Sequence, residues 1–151
     1  MTKAFTLVEL IFVIVIIGVL SAVAIPQFRN LTDNSKISAE LSTASSIQAA
    51  LQACHGEWVI SDCAITCGKD IDSATEFSAE GYPLNANMGT SAASPIDRIL
   101  KNAENAGWSR TGTNYTGPAS GTDGTNQCKA GKPCIGKSWT YNQTNGTFTL
   151  N

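Results

Sequence analysis

FTLVELIFVIVIIGVLSAVAIPQFR, residues 5–29, carries one acid near its start and one base at its end, with 19 uncharged residues from Leu10 to Phe28 between them. A helix of that length measures about 28 Å, close to the hydrocarbon thickness of a bilayer. Leu10–Ile25 is apolar apart from Gly18 and Ser21. Glu9 is the residue this pattern leaves unexplained. An acid near the bilayer centre costs roughly 3 kcal/mol, so such a residue is expected to have a partner and a purpose.

Three readings of the segment compete. A secretory signal would use Lys3, the apolar run and the Ala22-Val23-Ala24 match to a cleavage site, freeing a secreted binding domain after Ala24. Glu9 interrupts the apolar region of such a signal, and the helical phase continues past Arg29 with no boundary at Ala24. A plain transmembrane anchor fits the span and its flanking charges Lys3 and Arg29, yet gives Glu9 no role. Cleavage between Ala4 and Phe5 explains the acid. Phe5 then carries a new ammonium group, and pairing it with Glu9 offsets much of the cost of burying both charges. The pair can form within one chain or between the amine of one subunit and the acid of its neighbour, where it would set register.

Working outward, apolar residues fall at Phe28, Leu31, Ile37, Leu41, Ala44, Ile47, Leu51 and Cys54, one face of an α-helix from Ile37 onward. Ser38, Glu40, Ser42, Ser45 and Gln52 are assigned to the other faces. Gly56 is the expected stop, so the pattern fits either one helix from about Thr6 to Cys54 or a membrane anchor joined to an independent amphipathic helix. Pro26 removes a backbone hydrogen bond and should kink or locally melt the helix near Ala22. The first half is apolar all round, and the second carries a single apolar stripe.

In that head, Trp58-Val59-Ile60 reads equally as strand or loop. Ser94-Pro95-Ile96-Asp97 is a helix start, and Ile96, Ile99, Leu100 and Ala103 form a stripe ending at Gly107, which predicts a short helix over about 95–106. Residues 109–127 hold 13 Ser, Thr, Gly or Asn in 19 positions and read as a surface loop or a pair of short edge strands. Trp139 and Tyr141, then Phe148 and Leu150, alternate with polar residues around Asn145-Gly146, a type I′ turn signal. The predicted fold is α+β: a long kinked helix packed on a small C-terminal antiparallel sheet.

The whole chain has 151 residues, 42% hydrophobic and 15% charged, with a net charge of −2. Mild acidity without a basic patch excludes nucleic acid as the principal partner. Cys54, Cys63, Cys67, Cys128 and Cys134 form no CxxC pair, and His55 is the only histidine, so neither a zinc set nor covalent haem is indicated. Export favours disulfides, with one cysteine left over. His55 beside Cys54 lacks a third orienting residue and reads as a capping or surface group. Asp70, Asp72 and Asp123 approach no calcium loop. Asn30, Asn114, Asn142 and Asn145 match the glycosylation sequon by chance in Thr-rich segments, and none is read as a site. No cofactor is expected, and the chain is not read as an enzyme.

Phe5-Thr6-Leu7-Val8-Glu9-Leu10, the apolar helix after it, Gly18 and Pro26 resemble the N-terminus of type IV prepilins and pseudopilins over about residues 3–54. The resemblance implies a leader (1–4) removed by prepilin peptidase, N-methylation of Phe5 and a salt bridge of Glu9 during assembly. Ala4 stands where the family usually has Gly. It further implies a transmembrane and filament-core helix (5–28) kinked at Gly18 and Pro26, its amphipathic continuation (29–54) and a globular head (55–151). The expected partners are identical or related pilin subunits in a helical filament, the inner membrane before assembly, the peptidase and the assembly platform. The expected function is that of a structural pilus subunit in a surface filament for adhesion, twitching motility or DNA uptake. Many pilins close a C-terminal loop with a disulfide, which implies a Cys128–Cys134 bond and favours pilin over the alternative, a type II secretion pseudopilin. A second bond would join Cys54 with Cys63 or Cys67.

Overall fold

The computed structural model describes residues 6–61, 67, 74–84, 98–100 and 107–151. The chain divides into two compact units, residues 1–35 and 36–151. One helix, α1 (Leu7–Ile60), enters both. Pro26 lies inside it without interrupting the helical assignment, so the chain is not melted near Ala22.

In the first unit, every residue of α1 from Leu7 to Phe28 except Ala24 is exposed. Nothing in this unit covers the apolar run, and the helix is long and apolar enough to cross a membrane. Thr6 starts the helix: its hydroxyl accepts a hydrogen bond from the Glu9 amide at 3.3 Å, and its carbonyl one from Leu10 at 3.2 Å. That places Glu9 in the first turn, where the unpaired amides favour an acid.

In the second unit, α1 buries Ile37, Glu40, Ala44, Ile47, Leu51 and Cys54. Facing them is a four-stranded antiparallel meander of β1 (Ser109–Thr111), β2 (Asn114–Thr116), β3 (Trp139–Asn142) and β4 (Thr147–Leu150). The register pairs Arg110 with Tyr115, Tyr115 with Trp139, and Tyr141 with Phe148. Alternation sends Trp139, Tyr141, Phe148 and Tyr115 inward onto Ile47 and Leu51, and Trp108 joins them. Phe148 is the hub: Trp139 stacks on it at 5.3 Å and Tyr115 meets it edge-on at 5.5 Å. Such aromatic pairs add about 1 kcal/mol each beyond their buried area. Residues 109–127 thus supply the edge strand β1 and, in place of a second edge strand, the inner strand β2, joined by a turn at Gly112, before the chain turns back over α1.

Four local expectations are corrected. The helix runs past Gly56 to Ile60, so Trp58-Val59-Ile60 is its last turn. Tertiary contacts outweigh the cost of a mid-helix glycine, about 1 kcal/mol: the Trp58 ring lies on Gly81, and His55 stacks on Tyr82 at 4.3 Å. The β3–β4 connection is a four-residue loop, with Asn142 paired to Thr147, instead of a two-residue type I′ turn. There the Gly146 amide bonds the Asn142 carbonyl, and Asn145 spends its side-chain oxygen on the Thr147 amide and hydroxyl. Of the predicted helix over 95–106, only Arg98, Ile99 and Leu100 are described, and they form a turn and bend. There Arg98 forms an ion pair with Glu76, and Ile99 is buried; the rest of the predicted helix lies outside the described residues. Finally, Glu40 faces inward.

Candidate functional site

Two regions carry the chemistry: the uncovered apolar half of α1 with Glu9 at its start, and the contacts that tie the second half of α1 to the sheet. The first has a simple physical demand. An apolar surface of this extent needs lipid or other apolar helices around it. Glu9 itself is exposed in the first helical turn. Ala4 and Phe5 lie outside the described residues. Among the described residues, Gly18 has no neighbour within 4 Å of where a Cβ would stand, so no contact with them requires glycine there.

The second region is built on Glu40, which has no solvent exposure. Its Oε2 accepts hydrogen bonds from the Ala119 and Ser120 amides at 2.7 and 3.0 Å. Its Oε1 accepts from the Ser120 hydroxyl and the Trp139 indole N–H, both at 2.7 Å. Four donors converging on two oxygens match an ionised carboxylate, which is acceptor-only. Gly117 is part of the device, since a Cβ there would stand 2.5 Å from the Glu40 carboxyl carbon. Two turns along the helix, Gln48 repeats the principle: its amide donates to the Gly146 carbonyl at 2.7 Å and accepts from the Phe148 amide at 2.8 Å. A disulfide from Cys54 to Cys67, Cα atoms 5.4 Å apart, completes the row.

Neither Glu40 nor Gln48 was recognised in the sequence. The series through Leu41 assigns Glu40 to another face. The steps Ile37, Glu40, Ala44, Ile47, Leu51, Cys54 run 3, 4, 3, 4, 3, which is more regular than the series through Leu41, so the spacing did carry the signal. No comparable pattern marks Gln48.

Cys128 and Cys134 form the other disulfide, Cα atoms 5.3 Å apart, in the connection before β3. Cys63, Asp70 and Asp72 lie outside the described residues. His55 is half-buried, its Nδ1 3.3 Å from the Gly81 carbonyl. Asp123 is exposed, and its carbonyl accepts from the Lys36 ammonium. Burial holds the phenols of Tyr141 and Tyr115 protonated above their ordinary range, aided for Tyr141 by the neighbouring Tyr115 and Tyr82 and opposed for Tyr115 by Arg110. The Tyr141 hydroxyl donates to the Pro83 carbonyl at 2.7 Å.

With this geometry in place, comparison with known proteins is informative. The chain is 41% identical over 88 residues to the type IV major fimbrial protein FimA of Dichelobacter nodosus, covering 58% of this chain and 53% of the relative. It is 36% identical over 88 residues to a fimbrial protein of Pseudomonas aeruginosa, covering 58% and 51%. To the type IV narrow pilus major component PilA5 of Thermus thermophilus it is 48% identical over 48 residues, covering 32% and 41%. The chain spans about half the length of the curated relatives it matches. No family model and no solved structure matches it. The chain is therefore similar to several proteins named as type IV fimbrial or pilus components.

Proposed function

We propose that this chain is a structural, non-catalytic subunit of a type IV pilus. One observation carries the reading: an apolar helix surface from Leu10 to Phe28, exposed except at Ala24 and headed by the single acid Glu9 in the first turn. Similarity to named fimbrial proteins supports it.

In this reading the subunit waits in the inner membrane with residues 5–28 in lipid. Prepilin peptidase cuts between Ala4 and Phe5, and Phe5 is methylated on its new amine. Assembly on the platform moves the helix from lipid into the core of a surface filament, exchanging contacts with lipid for contacts with other subunits' helices. Lipid and helix surfaces are similarly apolar, so close packing and polar pairing decide association. The Glu9 carboxylate and the Phe5 ammonium supply that pairing, one partner from each of two subunits. Gly18 and Pro26 let the helix bend where it is packed. The sheet and its loops form the outer surface of a filament used in adhesion, motility or DNA uptake.

Replacing Glu9 with Ala tests the assembly step. The variant is expected to reach the membrane at wild-type level and to form no surface fibres by electron microscopy. Normal fibres from Glu9→Ala would refute the pairing mechanism.

A further inference from the structure

A second site lies within the unit 36–151. A pocket of about 600 Å³ opens between the β1–β2 hairpin, the turn after β2 and the chain just past Cys134, with Lys36 of α1 on its wall. That volume lies in the range of small-ligand pockets.

Its walls are held in place by bonds already described and by others around them. Glu40 takes both amides of Ala119 and Ser120, which fixes the turn 117–121. Gly121 bonds the Gly117 carbonyl at 2.8 Å, Thr125 the Ala119 carbonyl at 3.0 Å, and Ile135 the Thr125 carbonyl at 3.0 Å. Gly124 cannot be replaced without collision, since a Cβ would stand 2.1 Å from the Ala119 carbonyl oxygen. Lys36 adds a bond to the Asp123 carbonyl. The pocket is thus held in shape before any ligand arrives.

The lining selects a chemical class. Thr111, Thr122 and Asp123 lie on the wall, and among the described residues their side chains make no hydrogen bond, leaving two hydroxyls and a carboxylate free. Pro118 and Ile135 supply apolar wall. An anion is disfavoured by Asp123. A metal cation would have a single carboxylate, and no cluster of three metal-ligating residues occurs among the described residues. A purely apolar ligand would strand the polar groups. What satisfies the set is an uncharged molecule with adjacent hydroxyls to donate to Asp123, further oxygens to accept from Lys36 and the threonines, and a carbon face for Pro118 and Ile135. We infer that this pocket binds a neutral saccharide, with Asp123 accepting from a pair of neighbouring sugar hydroxyls.

The test uses the full chain in detergent micelles and ligand-observed saturation-transfer NMR with the methyl glycosides of glucose, galactose and N-acetylglucosamine. At least one glycoside is expected to give a difference signal. Asp123→Ala should weaken its binding about tenfold and Thr111→Val about fivefold, the losses for a charged and a neutral hydrogen bond. Neither side chain holds the fold together, so circular dichroism should stay unchanged in both. Lys129→Ala, outside the pocket, should bind as the wild type does. No signal from any of the three glycosides would overturn the proposal, as would unchanged affinity in Asp123→Ala and Thr111→Val. Monomer in micelles needs no assembly, so the outcome is separate from that of the filament experiments.

Discussion

Glu40 shows how one side chain can hold two elements in register. Hydrophobic contact between α1 and the sheet is non-directional and tolerates sliding; a carboxylate with four fixed donors does not. Glu40→Ala would strand the Ala119 and Ser120 amides and the Trp139 indole N–H in a buried site. A loss of about 3–5 kcal/mol is expected, read as a fall in denaturation midpoint. Glu40→Gln keeps the shape but turns two donors of its own toward those donors, so it should lose at least about 2 kcal/mol. If Glu40→Gln were as stable as the wild type, the carboxylate would not be the clamp described. Tyr141 and Tyr115 make a second prediction at this scale. Their phenols stay protonated in the fold above the ordinary value of 10.0 at which an unfolded chain ionises. Their stabilising contribution is therefore complete below pH 10 and declines as pH rises beyond it, because the unfolded state then binds fewer protons. Tyr141→Phe should flatten this alkaline decline while costing about 1 kcal/mol at neutral pH for the lost bond to Pro83. Equilibrium denaturation from pH 7 to 11.5 reads both effects.

Among the elements, those with strong internal periodicity were legible and those closed by distant contacts were not. Trp139, Tyr141, Phe148 and Leu150 alternate so plainly that the β3–β4 hairpin and its aromatic face followed directly. Its turn did not, because Asn145 and Gly146 are engaged by Thr147, Gln48 and the Tyr82 ring, a residue far away in sequence. The end of α1 was misplaced for the same reason: Gly56 signals a stop, and Gly81 and Tyr82 reach back to extend the helix beyond it. The disulfides give an element-scale prediction. Cys54–Cys67 closes a longer loop than Cys128–Cys134, with sequence separations of 13 and 6. Removing the first by double serine substitution should cost about 3 kcal/mol and the second about 2 kcal/mol on loop entropy. The first should also raise amide exchange across the last turns of α1, a change that hydrogen-exchange mass spectrometry localises.

At the scale of the whole molecule, the division seen in the sequence persists in the structure: an N-terminal helix whose apolar surface nothing in its own unit covers, and a second unit that buries an aromatic and aliphatic core between α1 and the sheet. The candidate site on the helix was legible because Glu9 violates the pattern around it. At Glu40 the spacing marks the buried stripe, but the clamp itself is legible only in the partners that meet the carboxylate there. The central claim is that Glu9 and a newly exposed Phe5 amine make this helix an assembly device, with the segment retained in the mature protein. Mass spectrometry of the mature N-terminus from the native source tests this most directly. A chain beginning at methylated Phe5 is the predicted result, and a chain beginning at Ile25 would contradict it.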